Sequence, residues 1–245
     1  MPPNIIFSTL PCSGASALDP IFRVLLPTAG YEITPFGPEA TPRLSEFYGI
    51  REPFYHWTHD PPETFAKYLG QSNFKFIHLH RDLRDVAISA AHDVLLNDLM
   101  PGHDLRQILE LMFTPAASSI LPHVRSAVRW ISQPDVLVIN FVDIKSDIRS
   151  VLNRCLVNCR ICIRPELLGQ TIAVHSFEAV TGRDRGERGP FVRNAYMLRR
   201  GITGEYKEHF DEKLAILCHQ ALGVELIALG YETDANWINA ISESH

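Results

Sequence analysis

Short apolar runs alternate along the chain with stretches whose apolar residues recur at the helical period. Five of these runs have the length of a strand: Ile5–Thr9, Tyr31–Thr34, Phe54–Thr58, Phe74–His80 and Val136–Phe141. Because helical patterns separate most of them, the chain predicts a parallel sheet with right-handed crossovers. The fold class that follows is α/β, with a central parallel sheet of about five strands flanked by helices.

The clearest helical pattern runs from Asp82 to Asn97, with its apolar residues on one face. Asp60-Pro61-Pro62-Glu63 has an aspartate in the N-cap position and a proline in the first turn, which predicts a helix to Leu69 that stops at Gly70. Further helices are predicted over Ala17–Leu26, Asp147–Asn158, Asp211–Leu222 and Ala235–Ile241, and within 103–132 with breaks near Pro115 and Pro122. The stretch Thr181–Gly204 is expected to be irregular.

Length and composition limit the class of protein. The 245 residues are 46% hydrophobic and show no internal repeat, so we expect one domain over residues 1–245. The net charge of −5 gives no basic field for nucleic acid, and any anion site must be local. No run of 18 apolar residues and no signal-peptide pattern is present, which argues against a membrane partner.

The five cysteines are an odd number, which indicates reduced thiols in a cytoplasmic protein. A zinc site around Cys155, Cys159 and Cys162 is conceivable. The apolar residues between these cysteines favour a buried passage from helix to strand instead, and we predict no metal.

The stretch from Phe7 to Ser16 is typical of a strand, a tight turn and a helix start. Ser13, Gly14, Ala15 and Ser16 are small, so the backbone could wrap around an anion and direct N–H groups at it. This resembles a P-loop in reduced form, but it is not a Walker A motif because Gly-Lys-Ser/Thr is absent. An ordinary tight turn between strand and helix remains an alternative.

Other candidates lie at strand ends or in the late loop, since parallel sheets bind ligands at their carboxyl edge. His59 follows the third strand and Arg81 the fourth. Ser89 stands about two helical turns after Arg81 and could reach the same anion. The loop Arg183–Gly201 holds six arginines against two acids, which favours an anion clamp over a merely solvated loop.

Four motifs in order resemble those of sulfotransferases that use 3′-phosphoadenosine 5′-phosphosulfate (PAPS). Arg199–Phe210 is similar to the family's Arg-Lys-Gly-x-x-Gly-Asp/Glu-Trp-Lys-x-x-Phe, and Arg81–Ser89 to its Arg-x-x-x-Asp-x-x-x-Ser. Asn140–Lys145 resembles Phe-Tyr-Glu-Asp-x-Lys, and His175–Glu178 the Ser-Phe-x-x-Met stretch. Each motif alone is an unspecific signal, and the four in family order are a specific one.

The resemblance implies a role for each candidate. The 3′-phosphate would lie against Arg81, Ser89, Arg199, Arg200 and the backbone of Gly201. Phe177 and Phe141 would lie near the adenine, although an ordinary core position is equally compatible with Phe141. The turn comprising Cys12, Ser13, Gly14, Ala15 and Ser16 would hold the 5′-phosphate and the sulfuryl group.

The same resemblance implies His59 as the catalytic base, in Trp57-Thr58-His59 where the family has Lys-Thr-His. A histidine suits removal of an acceptor proton near neutral pH. His56 is the competing candidate, but it stands earlier in the strand and further from the ligand edge.

Two departures concern charge. The family's lysine before Ser-Gly is Cys12 here, and the lysine before Thr-His is Trp57. Loss of a cation at a developing charge can cost on the order of 10²–10³ in rate. An arginine of the loop 183–193, with Arg188 or Arg193 as the candidates, could substitute. Alternatively the backbone amides suffice for a slow enzyme, or the protein binds nucleotide and catalyses poorly.

The resulting hypothesis is a PAPS-dependent sulfotransferase that leaves 3′,5′-adenosine bisphosphate (PAP) and sulfates a hydroxyl or amine of a small organic acceptor. Residues 92–129 and 48–57 should wall the acceptor pocket. A nucleotide-binding homologue without catalysis and a small P-loop kinase are the alternatives; a kinase would need Mg²⁺ and a loop lysine. The family's dimer pattern is absent after Lys207, so the oligomeric state is left open.

Overall fold

The computed structural model describes residues 2–35, 37, 53–114, 121–187, 189 and 198–242. Its five strands form one parallel sheet in the order β2-β3-β1-β4-β5. The predicted α/β fold with a central parallel sheet is therefore confirmed. The strands are β1 Asn4–Thr9, β2 Glu32–Ile33, β3 Phe54–Thr58, β4 Phe74–His80 and β5 Val136–Asn140.

Helices cover the sheet and pack with one another beside it. In chain order they are α1 Asp19–Thr28, α2 Leu83–Leu96, α3 Leu105–Met112, α4 Leu121–Ile131, α5 Phe141–Asn158, α6 Pro165–Val174, α7 Phe177–Thr181, α8 Glu212–Ala228 and α9 Trp237–Ser242. Short 3-10 helices span Ala15–Ala17, Pro62–Phe65 and Glu205–Glu208. None of the described helices is both long and apolar enough to cross a membrane.

The middle of the sheet is buried on both faces, as parallel sheets usually are. All six residues of β1 are buried. Phe7 and Ile77 face a cluster with α1, α5 and α6, while Ile6 and Phe76 face the opposite cluster, which contains Trp130. This alternation follows from the two-residue period of a strand, and it fixes which residues reach the carboxyl edge.

Two of three local predictions about helix starts and strand ends are wrong. Asp60 does not cap an α-helix: its carboxylate accepts from Thr58 Oγ1 at 3.1 Å, and a 3-10 helix with no side-chain cap begins at Pro62. Phe141 opens α5 rather than ending a strand, because Asn140 caps the helix through a bond from Val142 N at 3.0 Å. The predicted helix start at Asp147 is confirmed: Asp147 is a non-helical residue at a kink within α5, and its Oδ1 accepts from Ser150 N at 2.9 Å, so it caps the second part of that helix.

Other boundaries fall close to their predictions. Asp82 caps α2 and Asn97 ends it, while Asp211 caps α8. Pro122 lies in the first turn of α4, a position that proline tolerates, and does not break the helix. All five cysteines are free thiols, and Cys155 leads through Cys159 toward α6, not toward a strand. Pro115 lies outside the described residues.

Candidate active site

Three strand ends meet at the carboxyl edge of the sheet, because β1 pairs with β3 on one side and β4 on the other. The loop after β1, His59 after β3 and Arg81 after β4 consequently lie side by side around a cavity of about 320 Å³. The predicted site residues that line it are Cys12, Gly14, Ala15, Ser16, His59, Arg81, Ser89, Phe141, Phe177, Arg199, Arg200 and Gly201.

Ser13 is the predicted site residue that does not line this cavity. It is fully buried, and its N–H and hydroxyl both donate to the carbonyl of Leu10, at 3.2 and 2.7 Å. These bonds close the turn from inside. Ser13 therefore shapes the loop, and the surface toward the cavity is left to Cys12 and the three residues from Gly14 to Ser16.

The turn is held in a conformation that suits glycine. Gly14 has φ +98°, and Cys12 takes φ +60°, which is uncommon for a residue with a side chain. The ring of Phe141 packs directly against Gly14: a Cβ built there would lie 2.5 Å from Phe141 Cδ2. Gly14 is thus required both by backbone geometry and by the approach of the ring.

Replacing Gly14 with alanine is expected to lower the free energy of unfolding by about 2–5 kcal/mol, the sum of left-handed strain and overpacking. Gly30→Ala is the matched control, since Gly30 has φ +86° and a Cβ at that position would meet nothing within 4 Å. Gly30→Ala should lower the free energy of unfolding by the backbone strain alone, about 1–2 kcal/mol. Urea unfolding of both variants measures the difference, and equal losses would contradict a role for Phe141.

Arg81 ties the strand end to two distant segments. Its guanidinium donates to Ile202 O at 2.9 Å and lies 3.4 Å from Cys12 O and 4.9 Å from the Phe141 ring centroid. Arg81 Nε is buried and has no hydrogen-bond partner among the described residues. A buried cationic donor without a protein acceptor indicates a site for an anionic ligand.

Asp85, in the first turn of α2, positions Arg81, which precedes that helix. Its carboxylate is fully buried, 3.7 Å from Arg81, and accepts from Gly204 N at 2.8 Å and Tyr206 N at 3.2 Å. Burial raises the pKa of Asp85, and the Arg81 charge opposes that rise. Arg81, Asp85 and Ser89 follow at four-residue spacing, so one face of α2 is directed at the cavity.

The late arginine doublet is held by acids. Arg199 donates to both oxygens of Glu205, and Arg200 lies 2.7 Å from Glu208 and 3.3 Å from Glu205. Burial alone would raise the pKa of Glu205, but the neighbouring His209 imidazole and the hydrogen bonds and charge of Arg199 outweigh it and lower the pKa. Glu205 is therefore an anion that orients both guanidiniums at the cavity wall, and each retains further N–H donors.

Lys145 adds a cation to which the sequence patterns assigned no role. Its ammonium donates to Gly201 O and lines the cavity. Burial, followed by the charge of Arg185, lowers the pKa of Lys145 to about 8. Gly201 packs on the other side against Phe177, since a Cβ there would lie 2.8 Å from Phe177 Cδ2. The flat ring, the glycine backbone and the ammonium form one wall.

His59 is oriented by the end of β1. Its Nδ1 lies 2.8 Å from Thr9 O, and because a carbonyl only accepts, Nδ1 carries the proton of the neutral ring. Nε2 is then the basic nitrogen. Trp57 donates to Thr9 Oγ1 at 2.9 Å and contacts the imidazole edge-on. His56, by contrast, is buried beside Thr34 away from the cavity, and burial lowers its pKa to about 4.

Cys12 does not have the surroundings of an activated thiol. Burial is the largest effect on it and raises its pKa, the Asp93 charge acts in the same direction, and a hydrogen bond from Ser89 opposes them. A thiol of raised pKa is a poor nucleophile at neutral pH. Nucleophilic catalysis by Cys12 is accordingly disfavoured.

The described residues of the loop 183–201 divide between those that brace the loop and those that line the cavity. Arg183 donates to the carbonyls of Leu198, Arg199 and Glu187, so it braces the loop instead of facing the cavity. Arg185 lines the cavity and lies 3.0 Å from Glu178. The two arginines predicted to replace the loop lysine, Arg188 and Arg193, lie outside the described residues, as do 48–52 and 115–120 of the predicted acceptor walls.

Among the described residues, one group has the composition of a metal site: His92, Glu205 and His209 bring ligand atoms within 4.8 Å of one another. Arg199 already donates to both oxygens of Glu205. A metal ion at this place would have to displace the bidentate guanidinium of Arg199, and the positive charge of that guanidinium would then repel the ion. We therefore keep the prediction that this protein binds no metal.

Comparison with known proteins identifies the family. The family model described as "Sulfotransferase domain" matches residues 37–226, more than half of the chain. The chain belongs to the sulfotransferase family. The resemblance carried by the four motifs is thereby confirmed.

This sulfotransferase is distant from the relatives it matches. It is 27% identical over 169 residues to mouse sulfotransferase 2B1, a match covering 62% of this chain and 48% of that one. It is 26% identical over 239 residues to dog sulfotransferase 1B1, a match covering 85% of this chain and 78% of that one. The first of these matches thus spans about half the length of the relative.

Two solved structures share the fold of this sulfotransferase. Mouse sulfotransferase SULT7A1 complexed with PAP superposes with a TM-score of 0.70 at 18% identity, over 99% of this chain and 89% of that one. Retinol dehydratase in a complex with retinol and PAP superposes with a TM-score of 0.66 at 14% identity, over 92% of this chain and 81% of that one. At such identities the likeness supports the architecture alone.

Proposed function

We propose that this chain is a single sulfotransferase domain that transfers a sulfuryl group from PAPS to a hydroxyl or amine of a small organic acceptor. The observation that supports this most is the convergence of three separate stretches on one cavity. The loop after β1, Arg81 with Ser89, and the doublet Arg199-Arg200 all line it, and His59 stands at its edge. The two structural relatives complexed with PAP make a doubly phosphorylated adenosine the expected occupant.

The residues fit such a nucleotide. Arg81 Nε is a buried donor that lacks a partner among the described residues, suited to the 3′-phosphate together with Ser89 and the arginine doublet. Gly201 has no Cβ between Phe177 and the cavity, which leaves the ring accessible to adenine. The Gly14–Ser16 backbone, backed by Phe141, would receive the 5′-phosphate end.

PAPS supplies the sulfuryl group: the bond from sulfur to the 5′-phosphate oxygen breaks as the bond from sulfur to the acceptor forms, and PAP leaves with the electron pair. His59 Nε2 takes the acceptor proton in that step. The bond from Nδ1 to Thr9 O keeps the ring in the tautomer that makes Nε2 basic. Cationic side chains and amides stabilise the charge that develops on the leaving phosphate.

The proposal is tested by incubating the purified protein with PAPS and a panel of phenols, alcohols and amines, and quantifying PAP and sulfated product by mass spectrometry. Formation of the two in equal amounts is expected. Tight PAP binding with no sulfated product from any acceptor would favour the non-catalytic homologue. Phosphorylation of an acceptor with ATP and Mg²⁺ would favour the kinase.

The proton on Lys145 should make PAP binding depend on pH. With a pKa of about 8, the ammonium is charged below that pH and neutral above it. If PAP binds the charged form, raising the pH from 7 to 9 weakens binding about tenfold. Lys145→Arg keeps its charge throughout and should flatten the profile in calorimetric titrations at pH 7, 8 and 9. Identical profiles for the two proteins would contradict a direct role for this ammonium.

The missing loop lysine can be addressed directly. We propose that another cation takes its place, with Arg188 or Arg193 as the predicted source and Lys145 as a further cavity-lining candidate. Under this proposal Cys12→Lys changes turnover little, because the charge is already supplied. A sharp rise in turnover for Cys12→Lys, measured with the best acceptor found, would contradict it.

A further inference from the structure

Asp93 is an acid in a cavity otherwise suited to an anion. It lies on α2 one turn beyond Ser89, on the helix face that carries Arg81 and Asp85, and it lines the cavity. Its Oδ1 accepts a hydrogen bond from Asn97 Nδ2 at 2.8 Å. Within the described residues no lysine or arginine forms an ion pair with it. Glu205, the other acid lining the cavity, is neutralised by Arg199 and Arg200.

The position of Asp93 makes this charge costly. Its charge acts on the thiol of Cys12, in the turn proposed to receive the 5′-phosphate and sulfuryl group. Like charges that lie close together near a protein surface repel each other more strongly than in bulk water, because the effective dielectric constant is lower there. Cys12 itself is neutral and offers no compensation. A carboxylate without a cationic protein partner at such a place is consistent with selection for a ligand that brings its own positive charge.

We infer that Asp93 binds an ammonium group of the acceptor, so that the preferred substrates are hydroxyl compounds with an aromatic or apolar body and a protonated amine. This inference rests on the proposed function and narrows its acceptor class. The hydroxyl faces His59 and is the group sulfated, while the ammonium keeps its proton and pairs with Asp93. Trp57, which lines the cavity and contacts His59, offers an aromatic surface beside the hydroxyl end of the acceptor.

The Asp93 carboxylate also makes this cavity less suited to neutral acceptors than to cationic ones. A neutral phenol would leave Asp93 desolvated without a cationic partner, and an anionic one would be repelled. Asp93 is thus a specificity-determining residue, acting on acceptor affinity and not on the proton transfer. Its removal should change which acceptor is chosen, with less effect on the turnover of neutral acceptors.

The test uses three pairs of phenols in which an ammonium is replaced by a methyl group of similar size. These are 4-hydroxybenzylamine with 4-ethylphenol, tyramine with 4-propylphenol, and 3-(4-hydroxyphenyl)propylamine with 4-butylphenol. Each is titrated calorimetrically into the protein saturated with PAP. At least one ammonium member should bind ten or more times more tightly than its neutral partner, and Asp93→Asn should abolish that preference.

Asp98→Asn is the matched control, because it removes the same charge from an exposed position just past the end of the same helix. It should preserve the preference. Equal binding of ammonium and methyl members, or a preference that survives Asp93→Asn, would overturn the inference.

Turnover of the same phenols with PAPS is measured separately, so that the two proposals fail differently. Selective ammonium binding without any sulfation would refute catalysis and retain the Asp93 site. Sulfation of the neutral phenols, with no preference for the ammonium members, would support catalysis and refute the Asp93 site. A protein that fails to bind PAP would overturn both.

Discussion

Alanine at position 59 is expected to lower turnover by about 10²–10⁴-fold, the usual contribution of a positioned general base. Affinity for PAP should stay within about twofold, because the nucleotide contacts are made by other residues. His59 is held by Thr9 at the end of β1 through its own ring, so its loss leaves the loop after β1 in place. Pre-steady-state turnover and PAP titration together measure the two quantities.

The exposed His123, replaced by alanine, serves as the control for a general effect of histidine loss. His59→Gln is a second variant, since an amide can keep a hydrogen bond to Thr9 O but cannot accept a proton at neutral pH. Both position-59 variants should be similarly slow. Unchanged turnover in His59→Ala would refute the assignment of the base.

Lysine at position 81 is expected to weaken PAP binding by about 10–150-fold, since it keeps the charge but loses a guanidinium hydrogen bond to the phosphate worth about 1.5–3 kcal/mol. The loss should be specific to the 3′-phosphate. Adenosine 5′-monophosphate, which lacks that phosphate, should bind the Arg81→Lys variant nearly as well as the wild type. Calorimetry with both nucleotides on both proteins forms a double-mutant cycle.

The same cycle distinguishes a loss of phosphate recognition from a loss of folded structure. Arg81 also contacts Ile202 O and neutralises the buried Asp85, so a partly unfolded variant would lose affinity for both nucleotides. Urea unfolding monitors that outcome. Equal losses for PAP and adenosine 5′-monophosphate in a folded variant would show that Arg81 does not recognise the 3′-phosphate.

Local sequence patterns were enough to predict the sheet. Phe74–His80 and Phe54–Thr58 are observed with the predicted bounds, because apolar residues of buried parallel strands stand out against flanking turns. Once the strands are known, the carboxyl-edge rule places His59 and Arg81 beside the first turn. That is why so much of the cavity wall could be anticipated.

The contacts that position these groups could not be predicted in the same way, because they join segments far apart in sequence. Asp85 accepts from Gly204, 119 residues away, and Lys145 donates to Gly201 across 56 residues. Glu205 is close to Arg199 in sequence, but only folding shows that its carboxylate holds the doublet. The four-residue spacing of Arg81, Asp85, Ser89 and Asp93 was the one available signal for the helix face.

The errors arose where one local signal competed with another. Asp60 precedes two prolines and a glutamate, which is a good helix start, but its carboxylate is taken by Thr58 and the segment forms a 3-10 turn. Phe141 continues an apolar run in sequence, yet Asn140 caps a helix there and turns the ring onto Gly14. Side-chain capping thus decided both boundaries.

The most direct measurement is the thermal stability of the protein with PAP, with ATP and Mg²⁺, and with NAD, each at one concentration. If the cavity binds a doubly phosphorylated adenosine, PAP at about 100 times its Kd adds about 2.7 kcal/mol and raises the Tm by about 5–10 °C. ATP and NAD should give much smaller shifts. A shift with ATP and Mg²⁺ or with NAD, and none with PAP, would contradict the account.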